Sequence, residues 1–210
     1  FPIAIPAWKL CPALVCGNPV GLKPAEDTPL RAQRFVDLLH EAGLPEGVVQ
    51  IVHGFGEEAG DALVRHPDVP VITFTGSRET GVLVTKNAAD ELKHVHLELG
   101  GKNAIIVMDD ADVDLAVDGI VWSAFGTAGQ RCTAASRVIV QRGVYEELQK
   151  KRVERAQKLR IVAAREDDTQ IRPETHEADS EKLRSIAGHV RRRGENRTAG
   201  AGDVAGSAQY

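Results

Sequence analysis

Residues 71–89 read VITFTGSRETGVLVTKNAA, and this stretch decides the expected fold. The apolar run at its start predicts a strand over residues 71–74, and residues 79–89 predict a helix. Gly76 and Ser77 supply the turn between them, since glycine and serine are common where a chain changes direction. A strand that leads through such a turn into a helix is typical of parallel β-α-β units, so the stretch predicts an α/β fold.

The same alternation continues on both sides of this stretch. Further strands are predicted at residues 20–22, 48–52 and 94–97, and a further helix at residues 57–65. Another helix ends before Gly43 and is expected to bury one face, which carries Phe35, Leu38, Leu39 and Ala42. Residues 1–98 are therefore predicted to form an open, Rossmann-like parallel sheet of the nucleotide-binding type.

Residues 99–190 predict part of a second α/β domain, with strands at 104–107 and 138–140 and a charged helix at 144–159. Between the strands, Asp109 or Asp110 is expected to cap a helix whose apolar side chains form one stripe: Val113, Ala116, Val117, Ile120, Val121, Ala124 and Phe125. Capping explains the acidic run better than metal binding, so no metal site is predicted. Residues 191–210 are mostly Gly, Ala and polar residues and are expected to be a disordered tail.

The composition of the 210 residues, with 42% hydrophobic and 27% charged residues, is that of an ordinary soluble globular protein. The net charge of -4 gives no reason to expect nucleic acid, and no apolar run is long enough to cross a membrane. Three cysteines, an odd number, indicate reduced thiols in a cytoplasmic setting. Cys11 and Cys16 lie among apolar residues and are expected to be buried, whereas Cys132 lies among small residues in GTAGQRCTAAS and is expected to be accessible.

Two glycine-rich turns follow consecutive predicted strands. Residues 53–61, HGFGEEAGD, are similar to the dinucleotide fingerprint, although the third glycine comes one residue late. Residues 74–82, FTGSRETGV, repeat the arrangement. Both could be ordinary tight turns, but open α/β sheets bind ligands at such strand ends, and backbone N–H groups at a helix start attract anions.

Two side chains stand out as chemically reactive candidates. Glu98, in LELGGK at residues 97–102, places a carboxylate in an apolar strand end, which predicts either a proton-handling group or an ion pair with Lys93 or Lys102. Cys132 is either a small buried hydrophobe or a nucleophile, and the second role needs a nearby base or positive potential to form the thiolate.

Together these residues carry a family resemblance. The segments FPIAIPAWK, LKPAEDTP, FTGS, LELGGKNA and GQRCTA, in this order and spacing, resemble the aldehyde dehydrogenase superfamily from Phe1 to about Arg160. The resemblance implies that Cys132 attacks an aldehyde to form a thiohemiacetal and then a thioester, and that Glu98 activates the water that hydrolyses it. The second unit would then belong to the catalytic domain. The family's other oxyanion donor, an asparagine, precedes the FP segment, so this chain is expected to be a piece of a longer enzyme with little turnover by itself.

The resemblance also implies a cofactor, NAD, with NADP as the less favoured alternative. Lys23 and Glu26 would lie at the adenine ribose and Gly56 near the adenosine. The pyrophosphate would lie beside Gly76, Ser77 and Gly81, and Leu99 would lie close to the nicotinamide end. The implied partners are a small-molecule aldehyde and, for the parent enzyme, further copies of itself.

Three other functions remain open at this point. A CoA-acylating dehydrogenase is disfavoured by Glu98, because acylating relatives lack that carboxylate. A cysteine hydrolase is disfavoured because no histidine has a recognisable motif relation to Cys132. A non-catalytic remnant of the family that binds nucleotide weakly, or not at all, is the remaining alternative.

Overall fold

In the computed structural model, strands alternate with helices along the chain. The structure describes residues 1–160, Glu181 and the backbone of Val204–Gln209. The chain divides into two units, Phe1–Leu99 and Gly100–Tyr210. Within the part of the chain that the structure describes, no helix is both long and apolar enough to span a bilayer.

The strands of the first unit run parallel in two separate ladders. Strand β1 (Val20–Leu22) pairs with β2 (Val49–Ile51), and β3 (Val71–Thr75) pairs with β4 (His94–Glu98). The predicted strands and their parallel direction are therefore present, but the described ladders form two pairs rather than one continuous open sheet. Hydrophobic periodicity locates strands without saying which of them are neighbours.

The helices of the first unit cover these ladders and close two small cores. They are α1 (Ala4–Val15), α2 (Pro29–Glu41), α3 (Asp61–Arg65), which follows a π-helical turn at Gly56–Gly60, and α4 (Arg78–Ala88). One core contains Leu10, Val36 and Val49, and the other contains Val64, Val84 and Ala88.

The buried face of α2 differs from the predicted one. Ala32 and Val36 are its buried residues, whereas Leu38, which was expected on the inner face, is 47% exposed. Phe35 and Leu39 pack at the margin of the core. The buried face of α2 therefore carries the smaller side chains Ala32 and Val36, and Val36 packs in one core with Val49 of β2.

The second unit is a β-α-β crossover followed by a helix and a returning strand. Strand β5 (Asn103–Val107) runs parallel to β6 (Ala135–Gln141) through α5 (Val113–Phe125), and α6 (Tyr145–Gln157) follows. The predicted stripe of α5 forms the centre of the core, which is lined by Val107, Val117, Ile120, Val121, Val138, Val140 and Leu148. The N-cap is Asp112, two residues after Asp110 and three after Asp109, since Asp112 accepts a 3.1 Å hydrogen bond from the Leu115 N–H.

The end of the chain departs from the predicted disorder over six residues. Strand β7 (Val204–Gln209) pairs antiparallel with β6, whereas the rest of the predicted tail, 191–203 and 210, lies outside the described residues. An edge strand offers unpaired backbone groups to any segment, so pairing does not require the apolar side chains that this tail lacks.

Candidate active site

Cys132 lies in a tight loop that joins α5 to β6, and its thiol is exposed, as the small neighbours predict. The loop begins with a 3-10 turn, Gly126–Gly129, in which Thr127 and Ala128 both have a φ of 56°. Left-handed conformations of this kind cost about 1–2 kcal/mol for each non-glycine residue. Gly129 has a φ of 68°, and a Cβ there would lie 2.8 Å from the Ala124 carbonyl oxygen. The loop is therefore a strained conformation that other contacts must hold.

Hydrogen bonds tie this loop to α5 on one side. Arg131 donates from Nη2 to the Trp122 carbonyl over 3.0 Å, and its guanidinium carbon lies 3.8 Å from the centre of the Trp122 ring. The Ala135 N–H donates to Ser123 Oγ over 3.0 Å. These contacts hold Arg131, directly before Cys132, and Ala135, three residues after it.

Asn103, the first residue of β5, holds the loop from the other side. Its Nδ2 donates to the Cys132 carbonyl over 2.6 Å and to the Ala134 carbonyl over 3.3 Å. Asn103 and Arg131 lie within the quoted segments LELGGKNA and GQRCTA, but no role was predicted for them or for Ser123, because their partners lie outside any local pattern.

Glu98 is the last residue of β4, where it pairs with Thr75, and its side chain is exposed. The expectation of a carboxylate within apolar surroundings is therefore wrong. The strand alternates, so Val95 and Leu97 are partly buried while Glu98 lies on the opposite face. One of its expected partners is engaged elsewhere, since Lys93 donates to the Val64 carbonyl over 2.7 Å.

Cys11 and Cys16 are also exposed, which contradicts their predicted burial. Helix α1 buries Pro6 and Leu10, and Cys11 follows Leu10 by about 100° around the helix. Cys16 is the residue that caps the end of α1. The apolar residues near Cys11 in the sequence do not bury it, because α1 leaves some of them exposed themselves: Trp8 is 67% exposed.

Lys9 is a half-buried cation near Glu98 that the sequence did not reveal. Its Nζ donates to Thr73 Oγ1 over 2.6 Å, which joins α1 to β3. Burial lowers the pKa of Lys9, and the negative charge of Glu98 partly opposes this shift.

Lys23 and Glu26 lie at a cavity beyond the carboxyl ends of β1 and β2. The cavity has a volume of about 130 Å³ and is lined by Pro24, Ala25, Glu26, Pro29, His53, Gly54 and Phe55. Lys23 Nζ donates to Glu26 Oε2 over 3.1 Å and to the Gly54 carbonyl over 3.0 Å. A backbone hydrogen bond, followed by the bond from Lys23, lowers the pKa of Glu26, so its carboxylate stays charged at neutral pH.

Gly54 is the glycine that the backbone of this turn requires, whereas Gly56 is the residue that the family resemblance implies near the adenosine. Gly54 has a φ of 149°, and a Cβ there would lie 2.8 Å from the Ala59 Cβ. A Cβ on Gly56 would meet no described atom within 4 Å, and Gly56 begins the π-helical turn. His53 also lines the cavity, and its Nε2 lies 2.9 Å from Gln33 Oε1.

The other predicted cofactor residues meet at the start of α4. Ser77 caps this helix and accepts a 3.1 Å hydrogen bond from the Thr80 N–H, while the Gly76 N–H donates to the Glu98 carbonyl over 3.1 Å. A Cβ on Gly81 would lie 2.9 Å from Leu99 Cδ2, so Gly81 leaves room for Leu99 to pack on the helix. The structure thus brings Gly76, Ser77, Gly81 and Leu99 together.

A sequence model described as the aldehyde dehydrogenase family matches residues 1–208. The chain belongs to the aldehyde dehydrogenase family. This finding confirms the resemblance and extends it beyond residue 160.

Relatives within the aldehyde dehydrogenase family share both sequence and fold with this chain. Betaine aldehyde dehydrogenase of Rhizobium johnstonii is 40% identical over 213 residues, which cover 100% of this chain and 44% of that protein. The crystal structure of an aldehyde dehydrogenase from Brucella melitensis biovar abortus 2308 matches with a TM-score of 0.88 and 38% identity over 92% of this chain and 40% of that one.

A betaine aldehyde dehydrogenase from Staphylococcus aureus, solved in complex with NAD+, matches with a TM-score of 0.85 and 36% identity. The match covers 92% of this chain and 38% of that chain. This chain therefore spans less than half the length of these members of the aldehyde dehydrogenase family. The mixed α/β fold with parallel strands is the one predicted from the sequence.

Proposed function

We propose that this chain carries the nucleotide-binding and thiol-bearing parts of an enzyme that oxidises an aldehyde to a carboxylic acid with NAD. The first unit is assigned to the cofactor and ends with the general base Glu98, and the second unit carries the nucleophile Cys132. The observation that carries the proposal is the exposed Cys132 thiol in a strained loop that Asn103 and Arg131 hold by hydrogen bonds. A thiol kept accessible by such a loop suits a nucleophile better than a packing residue.

Cys132 performs the covalent chemistry in this proposal. Its thiolate adds to the aldehyde carbon, a C–S bond forms, and the carbonyl electrons move to the oxygen to give a thiohemiacetal. The Cys132 N–H donates a hydrogen bond to this oxygen and stabilises its developing charge. Loss of hydride from the carbon leaves a thioester on Cys132.

Glu98 completes the reaction as a general base. Its carboxylate takes a proton from water as the water oxygen adds to the thioester carbon. The C–S bond then breaks, and the carboxylic acid and the Cys132 thiolate are released. The exposure of Glu98 supports this role, because the carboxylate is accessible to the water that it must activate.

The residues of the first unit fit an adenine dinucleotide. The Glu26 side chain is 49% exposed beside the cavity, so its carboxylate is accessible to ribose hydroxyls. Lys23 fixes the position of that carboxylate, and the side chains of His53 and Phe55 line the cavity beside Gly54. The N–H groups at the start of α4, beside Gly76, Ser77 and Gly81, suit a pyrophosphate, with Leu99 towards the nicotinamide end. When bound, NAD supplies the hydride acceptor.

The charge of Glu26 favours NAD over NADP. A 2′-phosphate would face the carboxylate as a like charge, and such juxtapositions cost several kcal/mol when no cation compensates. Lys23 lies 3.1 Å from the carboxylate and reduces this penalty without removing it.

Single-turnover experiments test the proposal. The chain is mixed with an aldehyde and NAD, NADH is followed by absorbance, and the mass of Cys132-containing peptides is measured. Glu98→Gln is expected to accumulate an acyl adduct on Cys132, and Cys132→Ser is expected to abolish both signals. NADH formation that survives in Cys132→Ser would refute the nucleophile assignment. NAD binding without any adduct would favour the non-catalytic remnant.

A further inference from the structure

We propose that Asn103 is a positioning residue for the Cys132 nucleophile, and that its carboxamide fixes the loop that presents the thiol. The inference rests on the proposed role of Cys132. It starts from the two hydrogen bonds of 2.6 Å and 3.3 Å that Asn103 donates to the Cys132 and Ala134 carbonyls.

The chemistry of the partners fixes the orientation of the Asn103 amide. Backbone carbonyls only accept hydrogen bonds, so the NH₂ group must face both of them. The two amide protons then match the two carbonyls. Asn103 therefore spans the loop residues that come directly before β6 and links them to the first residue of β5.

The two hydrogen bonds from Asn103 lie at the start of the β5–β6 pairing, where the register is irregular. Asn103 pairs with Ala135, but the next pair is Ala104 with Arg137, so the register shifts between Asn103 and Ala104. Carbonyls beside such a shift need donors from elsewhere, and Asn103 donates one hydrogen bond to the Ala134 carbonyl, next to the first pair of the ladder. Its other hydrogen bond reaches the Cys132 carbonyl, further into the loop.

The packing around this bond leaves little room for displacement. A Cβ on Gly101 would lie 3.2 Å from the Cys132 carbonyl oxygen and 3.3 Å from Asn103 Nδ2. A Cβ on the neighbouring Gly100 would meet no described atom within 4 Å. Gly101 thus permits the close approach, and the pair of glycines provides a matched comparison.

An aspartate at position 103 has nearly the same shape as asparagine, but its carboxylate cannot donate a hydrogen bond and would place a negative charge against the Cys132 carbonyl.

The test measures the pH profile of Cys132 alkylation by iodoacetamide, with peptide mass spectrometry and with Cys11 in the other unit as internal reference. Asn103→Asp is expected to slow Cys132 alkylation several-fold and to shift its profile to higher pH, because the loop loses both donors and the new carboxylate disfavours a nearby thiolate. Asn103→Ala is expected to fall between this variant and the original chain. Lys102→Gln changes the net charge by the same amount and is expected to leave the profile unchanged.

Superimposable Cys132 profiles for the original chain, Asn103→Ala and Asn103→Asp would overturn the inference. If Asn103→Ala and Asn103→Asp both react at the rate that the original chain shows in urea, the loop has unfolded in these variants. The test then compares the Cys132 profile of Gly101→Ala with that of its control, Gly100→Ala. A slowed profile in Gly101→Ala alone supports the inference, and equal profiles overturn it. An unchanged profile in Asn103→Asp together with loss of the acyl adduct in Cys132→Ser would refute the positioning role while leaving the proposed function intact.

Discussion

Two helical glycines should respond to the same substitution with opposite changes in stability. Gly81 lies within α4, and a Cβ there would lie 2.9 Å from Leu99 Cδ2 and 3.3 Å from Leu99 Cδ1. Gly119 lies within α5, and a Cβ there would meet no described atom within 4 Å. Gly119→Ala is therefore free of the contact that Gly81→Ala must accommodate.

The expected magnitudes follow from two opposing contributions. Replacing glycine by alanine favours a helix by about 1 kcal/mol at either position. Overpacking against Leu99 costs about 1–3 kcal/mol at Gly81 only. Gly119→Ala should thus stabilise its unit by about 1 kcal/mol, and Gly81→Ala should range from neutral to about 2 kcal/mol destabilising.

Urea unfolding can report each unit separately, because the chain has two tryptophans, one in each unit. Trp122→Phe leaves Trp8 as the probe for Gly81→Ala, and Trp8→Phe leaves Trp122 as the probe for Gly119→Ala. With slopes of about 1–3 kcal/mol per molar urea, Gly119→Ala should raise its midpoint by about 0.5 M.

The double variant Gly81→Ala/Leu99→Ala provides the control for the assigned contact. Removing the Leu99 methyl groups should abolish the penalty, so the two changes should be non-additive by about 1–3 kcal/mol. A midpoint for Gly81→Ala that rises as much as that of Gly119→Ala would refute the packing of Leu99 on α4.

Lys23→Met should raise the pKa of Glu26, because it removes a hydrogen bond that favours the carboxylate. Carboxyl NMR titration measures this pKa, and an unchanged value would contradict the interaction between Lys23 and Glu26. A lowered carboxyl pKa stabilises the fold fully above the unfolded-state pKa, and this stabilisation is lost as the pH falls through the folded-state pKa. Because Lys23→Met raises the folded-state pKa of Glu26, the loss of unfolding free energy in acid should end at a higher pH in this variant. Glu98→Gln should lower the pKa of Lys9 further, since it removes the charge that opposes burial, and an NMR titration of Lys9 Nζ that showed a rise would exclude their coupling. Cys11 should be alkylated by iodoacetamide in the folded chain, and protection of Cys11 until urea is added would contradict its exposure.

The elements of the fold could be predicted because their signals are local. Apolar runs and glycine turns located β1 to β5 to within one residue at each end, and β6 begins three residues before its predicted start. The α5 stripe located the core of its unit. The neighbour relations of the strands were not predictable in this way. The inner face of α2 and the exposure of Cys11 depend on tertiary contacts that no periodicity encodes.

The site was predictable only where short motifs carry it. Cys132 and Glu98 came from motifs, whereas the bond from Asn103 to Cys132 joins residues 29 positions apart and that from Lys9 to Thr73 joins residues 64 apart. Neither pair forms a local pattern. Gly54 and Gly56 flank Phe55 symmetrically, and the sequence does not show that the positive φ belongs to Gly54.

The contact between Asn103 and Cys132 also has a consequence for the order of events during folding. Asn103 begins β5 and Cys132 lies just before β6, so they can meet only after α5 has formed the crossover between the two parallel strands. Parallel pairing across a helical connection closes a long loop and is slow compared with helix formation. A nascent chain would therefore lack the bond from Asn103 to the Cys132 carbonyl until this crossover closes, and the formation of that bond would mark the time at which β5 and β6 pair.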